Sequence, residues 1–159
     1  MKTPYFFTSI FSRDYNNYDG VRPINVYLLR FVFTLTFIFV GMGSWTTIIS
    51  HEGKWTALNA VAWSVWAAYS ALSVLGILKP LKMLPIVAFL IFYKTIWLTI
   101  VAYPLWIDGE LMGSEFERMT KDFMWVILPV VAMPWRYFFR ALFAKKNLPN
   151  ALVNSAARL

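Results

Sequence analysis

The sequence contains no cysteine and only one histidine in 159 residues. Without cysteine there can be no disulfide, thiolate metal site or thiol chemistry, and the redox compartment is left open. One histidine cannot supply bis-histidine haem ligation or a His/Cys metal site. His51, in His51-Glu52-Gly53-Lys54-Trp55, lacks both the second histidine of a zinc helix and a nucleophile elbow. Glycine is scarce at 7, and Gly41-Met42-Gly43 has neither the following glycine nor the strand context of a phosphate-cradling loop. Charged residues make up only 14% of the chain, too few for a water-soluble enzyme domain or a disordered regulator. These absences predict a non-catalytic chain with no metal of its own and no nucleic-acid partner.

What is present is apolar surface. Hydrophobic residues make up 59% of the chain and aromatics 19%, with a mean hydropathy of +0.56. Four apolar segments stand out, at residues 25–49, 57–78, 83–105 and 123–143. Crossing a hydrocarbon core takes about 20 residues at a ~1.5 Å rise, so each is long enough to span. In lipid the backbone must satisfy its own hydrogen bonds, and segments without period-2 alternation do so as helices. Short joints at His51 to Lys54 and Lys79 to Lys82, and a longer acidic one at 107–121, make sequence neighbours antiparallel neighbours. The predicted fold is therefore all-α, an integral membrane four-helix bundle running up, down, up, down over residues 24–143. A cytoplasmic or interfacial segment at 1–23 precedes it and a cytoplasmic tail at 144–159 follows.

Charge sets the expected orientation. Of the 15 basic residues, eleven fall on the side of both ends and the 79–82 joint, three on the other (Lys54, Arg118, Lys121), and Lys94 lies between. By the positive-inside rule both termini are cytoplasmic, in a bacterial inner membrane. Glu52, Asp108, Glu110, Glu115, Glu117 and Asp122 collect on the outer side, with no calcium-loop spacing. The first span starts too late and runs too long for a cleaved signal peptide. Tyr5, Phe6, Phe7, Ile10 and Phe11 fit a short piece lying flat in the interface or packing on the bundle.

Many aromatics sit near span ends, as an interfacial belt does. Trp63, Trp66, Tyr69 and Trp97 lie deeper, where they pack in the core or line a cavity. In the second segment Ala60, Ser64 and Ala68 recur every four positions, a smooth face for a helix of this chain or of another subunit.

The most informative residues are cations within the spans. Lys94 lies about eleven residues into the third segment, near the midplane, where a charge costs about 2.5–3.5 kcal/mol on insertion scales. No carboxylate is expected at its depth. Arg30 and Arg136 sit one to two turns inside the first and fourth segments. Snorkelling accounts for the arginines, and bonding to carbonyls, hydroxyls or water accounts for the lysine. The functional reading joins Lys94, flanked by Tyr93 and Trp97, with Arg30 and Arg136 as a ligand or partner site. The missing acceptor would come from a phospholipid phosphate, a quinone carbonyl, an anionic substrate or a neighbouring subunit.

Leu84-Pro85, Phe92-Tyr93-Lys94-Thr95-Ile96-Trp97 and Tyr103-Pro104-Leu105-Trp106 resemble a pattern in small bacterial membrane proteins of the broad DoxX-like and BphX-like group. The resemblance covers about a fifth of the chain, mainly the third helix. It implies a four-helix membrane protein among relatives that accompany quinone-linked or other redox enzymes, and it carries over no catalytic residue. The expected function is that of a small accessory subunit of a membrane complex or an amphiphile-binding bundle. The bundle would hold a lipid or quinone and have membrane lipids, another membrane subunit or a second copy as partners. The alternatives are a small transporter with Lys94 lining the path, and the membrane subunit of a quinone-linked oxidoreductase.

Overall fold

The computed structural model describes residues 10–143, which form helices joined by loops, with one isolated backbone bridge between Asp14 and Val21. The interfacial reading of Tyr5 to Phe7 and the polar tail at 144–159 lie outside the described residues. Three helices are long and apolar enough to cross a membrane: α1 (Pro23–Ile49), α2 (Ala57–Leu78) and α3 (Pro80–Ile107). In their most apolar stretches only 33%, 28% and 28% of residues are buried within the chain, so most of this apolar surface must be covered by lipid or a partner. The chain is membrane-embedded on this account.

The third apolar helix starts earlier than expected, because Pro80 occupies the first turn, where a missing N–H leaves no bond unmade. A widened π-helical turn at Leu98–Ala102 absorbs Pro104, whose ring would clash with the carbonyl four residues before it. Another such turn, Thr36–Val40, interrupts α1 and brings Gly41 onto α2.

The segment expected to span at 123–143 is divided. Helix α4 (Phe116–Ala132) and α5 (Trp135–Phe143) meet at a 73° bend. The cause is Pro134, which pushes Met133 into extended backbone (φ −64°, ψ 120°) and offers no N–H to the Val130 carbonyl. The Trp135 indole donates to that carbonyl instead, at 3.0 Å, and the Asn25 amide of α1 donates to the Ala132 carbonyl at 3.2 Å. The bend is thus satisfied by side chains, as buried backbone requires.

Helices α1 and α2 pack along their whole length through small residues. Ala67, Ser70, Ser73 and Gly76 of α2 are buried, while the expected smooth face of Ala60, Ser64 and Ala68 is left largely uncovered. A Cβ added at Gly41 would lie 3.6 Å from Ser70 Oγ, an ordinary contact. Gly41→Ala should therefore leave thermal unfolding in detergent unchanged or raise stability by up to about 1 kcal/mol, the gain of alanine over glycine in a helix. A clear loss would show that this crossing is tighter than drawn.

The core lies toward the Pro80 end. Leu29, Val32 and Phe33 of α1 meet Leu84, Val87, Ala88 and Ile91 of α3 and Ala132 and Met133 at the bend. Toward the His51 end the main contacts separate into two pairs, α1 with α2 and α3 with α4.

Candidate functional site

The middle of α3 carries the site. Tyr93 and Lys94 are adjacent and so point about 100° apart around the helix, Tyr93 toward α2 and both toward α4. The Tyr93 and Tyr69 hydroxyls are 3.1 Å apart, one donating to the other, and Tyr69 is 5% exposed. Rings join them into a continuous cluster. Phe89 lies 5.5 Å from Tyr93, and Phe123 of α4 meets Tyr93 edge-on at 5.5 Å and Trp97 at 4.9 Å, centroid to centroid. Trp63 and Trp66 contact each other edge to face at 4.9 Å.

Lys94 is half-buried on the α4 side. Its ammonium donates to the Asp122 backbone carbonyl at 3.3 Å and lies 5.2 Å from the centre of the Phe123 ring. Asp122 meets Lys94 through its backbone carbonyl, and among the described residues its carboxylate forms no ion pair with the ammonium. Helix α4 begins at Phe116, which puts Asp122 inside the helix beside α3 instead of in the acidic joint. Among the described residues the one ion pair is a different one, Lys121 to Glu117 at 2.6 Å, on the exposed side of α4. An ammonium has three protons, and here one carbonyl and one ring face engage it, so it retains donor capacity.

Of the expected site residues, Lys94, Tyr93 and Trp97 are brought together around Phe123. Arg30 is half-buried on α1 beside the core residue Leu29, with its Nε shielded from solvent and without a hydrogen-bond partner. Arg136 is exposed on α5, past the bend. No hydrogen bond, ion pair or ring contact among the described residues links either arginine to Lys94. Sequence reasoning missed Tyr69 as Tyr93's partner and Phe123 as the shared ring. Their deep placement in apolar segments was the available signal, but nothing in the sequence pairs them.

Between α2 and α3 runs an apolar groove of about 340 Å³. Val65, Ala68, Leu72 and Ile86 line it, and Tyr69 and Phe89 connect it to Tyr93. Val65, Leu72 and Phe89 along it are exposed. Among the described residues no group of three or more His, Asp or Glu is placed to hold a metal ion.

Compared with protein-family models, with curated proteins and with solved structures, the chain gives no match. The resemblance carried by the third helix therefore rests on its own residues, and the site must be read from its geometry.

Proposed function

We propose that this is a non-catalytic integral membrane protein that binds an amphiphile, a lipid or quinone, at the α2–α3 groove. In this reading the helices form a four-span bundle of a bacterial inner membrane, of the kind suggested by the DoxX-like resemblance. Both ends are cytoplasmic, and α4 returns the chain to that side before the bend. The observation that carries the reading is an apolar groove lined by Tyr69, whose hydroxyl is paired with that of Tyr93. Two phenols bonded to one another use one of their two protons, which leaves one O–H to donate to a carbonyl or ester oxygen. The groove takes the tail and the phenols take the head, while Lys94 is engaged on the α4 side of the same helix. Ligand sites of this type are mostly apolar with a few placed polar groups.

The test is mass spectrometry of lipid extracts from the purified protein, compared with the bulk membrane. One amphiphile class should be enriched in the wild type and displaced by Ala68→Trp, which fills the groove. Tyr69→Phe should lower its retention roughly tenfold, the worth of one hydrogen bond left unmade in a dry site. Lys94→Met should lower it less. No enrichment in the wild type, or full retention in Ala68→Trp, would overturn the proposal.

A second reading, an accessory subunit or homo-oligomer, is favoured by the uncovered Ala60, Ser64 and Ala68 face, over which another helix can approach closely. Native mass spectrometry after gentle extraction separates the two, since this reading requires a retained second chain.

A further inference from the structure

Beyond the midspan groove, the opposite side of the bend assembles a second site. Before α1 the chain makes a tight loop fixed by Asp14, whose carboxylate accepts from the Asn16 and Asn17 backbone N–H groups and from the Asn17 amide, at 2.9–3.0 Å. The loop closes through Asp19 and Gly20, both with positive φ (52° and 79°), and the Tyr15 ring lies over Gly20. This left-handed pair aims the Asp19 carbonyl at α5, where Arg140 donates to it at 2.9 Å and lies 5.6 Å from the centre of the Tyr137 ring. The resulting pocket, of about 480 Å³, is lined by Tyr15, Asp19, Tyr137, Arg140 and Ala141.

Arg140 lines this pocket, Arg136 stands one helical turn before it on the same side of α5, and Arg13 lies two residues before Tyr15. Arg13, hydrogen-bonded to the Tyr15 hydroxyl, holds that hydroxyl below the ordinary tyrosine value, and the charges of Arg140 and Arg136 act in the same direction. Against them stands the Asp19 carboxylate, which engages the Tyr137 hydroxyl. The Asp14 carboxylate is taken up by its own loop. Arg13, Arg136 and Arg140 are all exposed, and among the described residues none is in an ion pair.

The α5 helix adds the second requirement. At 100° per residue, Trp135, Phe138, Phe139 and Leu142 fall on one side and Arg136 and Arg140 on the next. Phe139, Leu142 and Phe143 are exposed, and the ring partners of Phe139 and Phe143 among the described residues come from α5 itself. A helix turned 73° from its predecessor, apolar on one side and basic beside it, is built to lie in a membrane interface.

We propose that Arg13, Arg136 and Arg140 form a binding site for the phosphate of an anionic phospholipid, whose acyl chains run along the apolar side of α5. The phosphodiester accepts from the guanidinium groups, and Tyr15 and Tyr137 border the headgroup. The site is separate from the midspan groove and stands or falls independently of it.

The test uses the full-length protein in nanodiscs of phosphatidylglycerol and phosphatidylcholine, analysed by native mass spectrometry. The wild type should retain phosphatidylglycerol over phosphatidylcholine by roughly tenfold or more, because basic residues attract the anionic headgroup. Arg13→Gln/Arg136→Gln/Arg140→Gln should abolish the preference. Arg22→Gln/Lys79→Gln/Lys82→Gln, with the same loss of charge elsewhere, should keep it. Equal loss in both triple variants would reduce the effect to net charge and overturn the site. So would wild-type retention of the two lipids in equal amounts, a result that does not depend on any variant folding. Displacement by inorganic phosphate at concentrations comparable to the lipid would also overturn the lipid assignment, because the acyl chains would then contribute nothing.

Discussion

Gly76→Ala is expected to destabilise the protein by about 1–3 kcal/mol, and Phe33→Ala by about 3–5 kcal/mol. Gly76 is buried in α2, and a Cβ built there runs into the ring of Phe33. That ring is 2% exposed and sits in the core shared by α1, α3 and the bend, so it has little room to retreat. Phe33→Ala leaves a void of nearly a whole ring, while Gly76→Ala crowds the same space. The two changes are therefore coupled, and a double variant of Gly76→Ala with Phe33→Leu should be more stable than the separate losses add up to, by about 0.5–3 kcal/mol. Unfolding in bicelles, followed by helical circular dichroism, measures all of these. If Gly76→Ala behaved like Gly41→Ala, the α1–α2 crossing described here would be wrong.

Trp135→Phe and Asn25→Leu are expected to destabilise by about 1–3 kcal/mol each, because each leaves a bend carbonyl without its donor. Trp135 serves Val130, whose helical donor would have been the proline nitrogen, and Asn25 serves Ala132. The pair has an internal check. In the Trp135→Phe background, Pro134→Ala restores an N–H to residue 134 and should recover part of the loss by letting the helix continue through the bend. The absence of cysteine makes the geometry easy to follow, since a single Leu142→Cys gives one labelling site. Its reactivity toward a water-soluble maleimide should change when Pro134→Ala straightens the chain. Unchanged stability in Trp135→Phe would mean that water or another group already serves Val130.

The bend also shows where reading the sequence stopped short. Apolar content alone carried the expected fourth span through to Phe143, yet Met133-Pro134 was in plain view. A residue before proline is driven from helical to extended backbone, and that is the conformation Met133 adopts. Across the bend, Arg136 changes from a cation inside a span to one on an exposed amphipathic helix, away from Lys94. Asp122 moved the other way, from an assumed loop to the carbonyl that meets Lys94. Both shifts follow from helix limits that lie several residues from where hydropathy ends.

The sequence by itself determined that the chain is helical and apolar enough for a membrane, because a hydrocarbon environment permits a long apolar segment little besides a helix. It also marked Lys94 as the residue needing a partner, since the desolvation penalty of a midspan charge depends on depth along one helix and needs no knowledge of its neighbours. Only the tertiary structure decided which groups answer that need. The Tyr69–Tyr93 hydroxyl pair, the Phe123 ring shared by Tyr93, Trp97 and Lys94, and the Arg140 hydrogen bond to the Asp19 carbonyl each join residues from different helices or loops. Such meetings depend on crossing angles, helix ends and the rotation of each helix about its axis. In a chain apolar on nearly every face, periodicity specifies that rotation only weakly, and small residues such as Gly76 set it by where they let another helix approach.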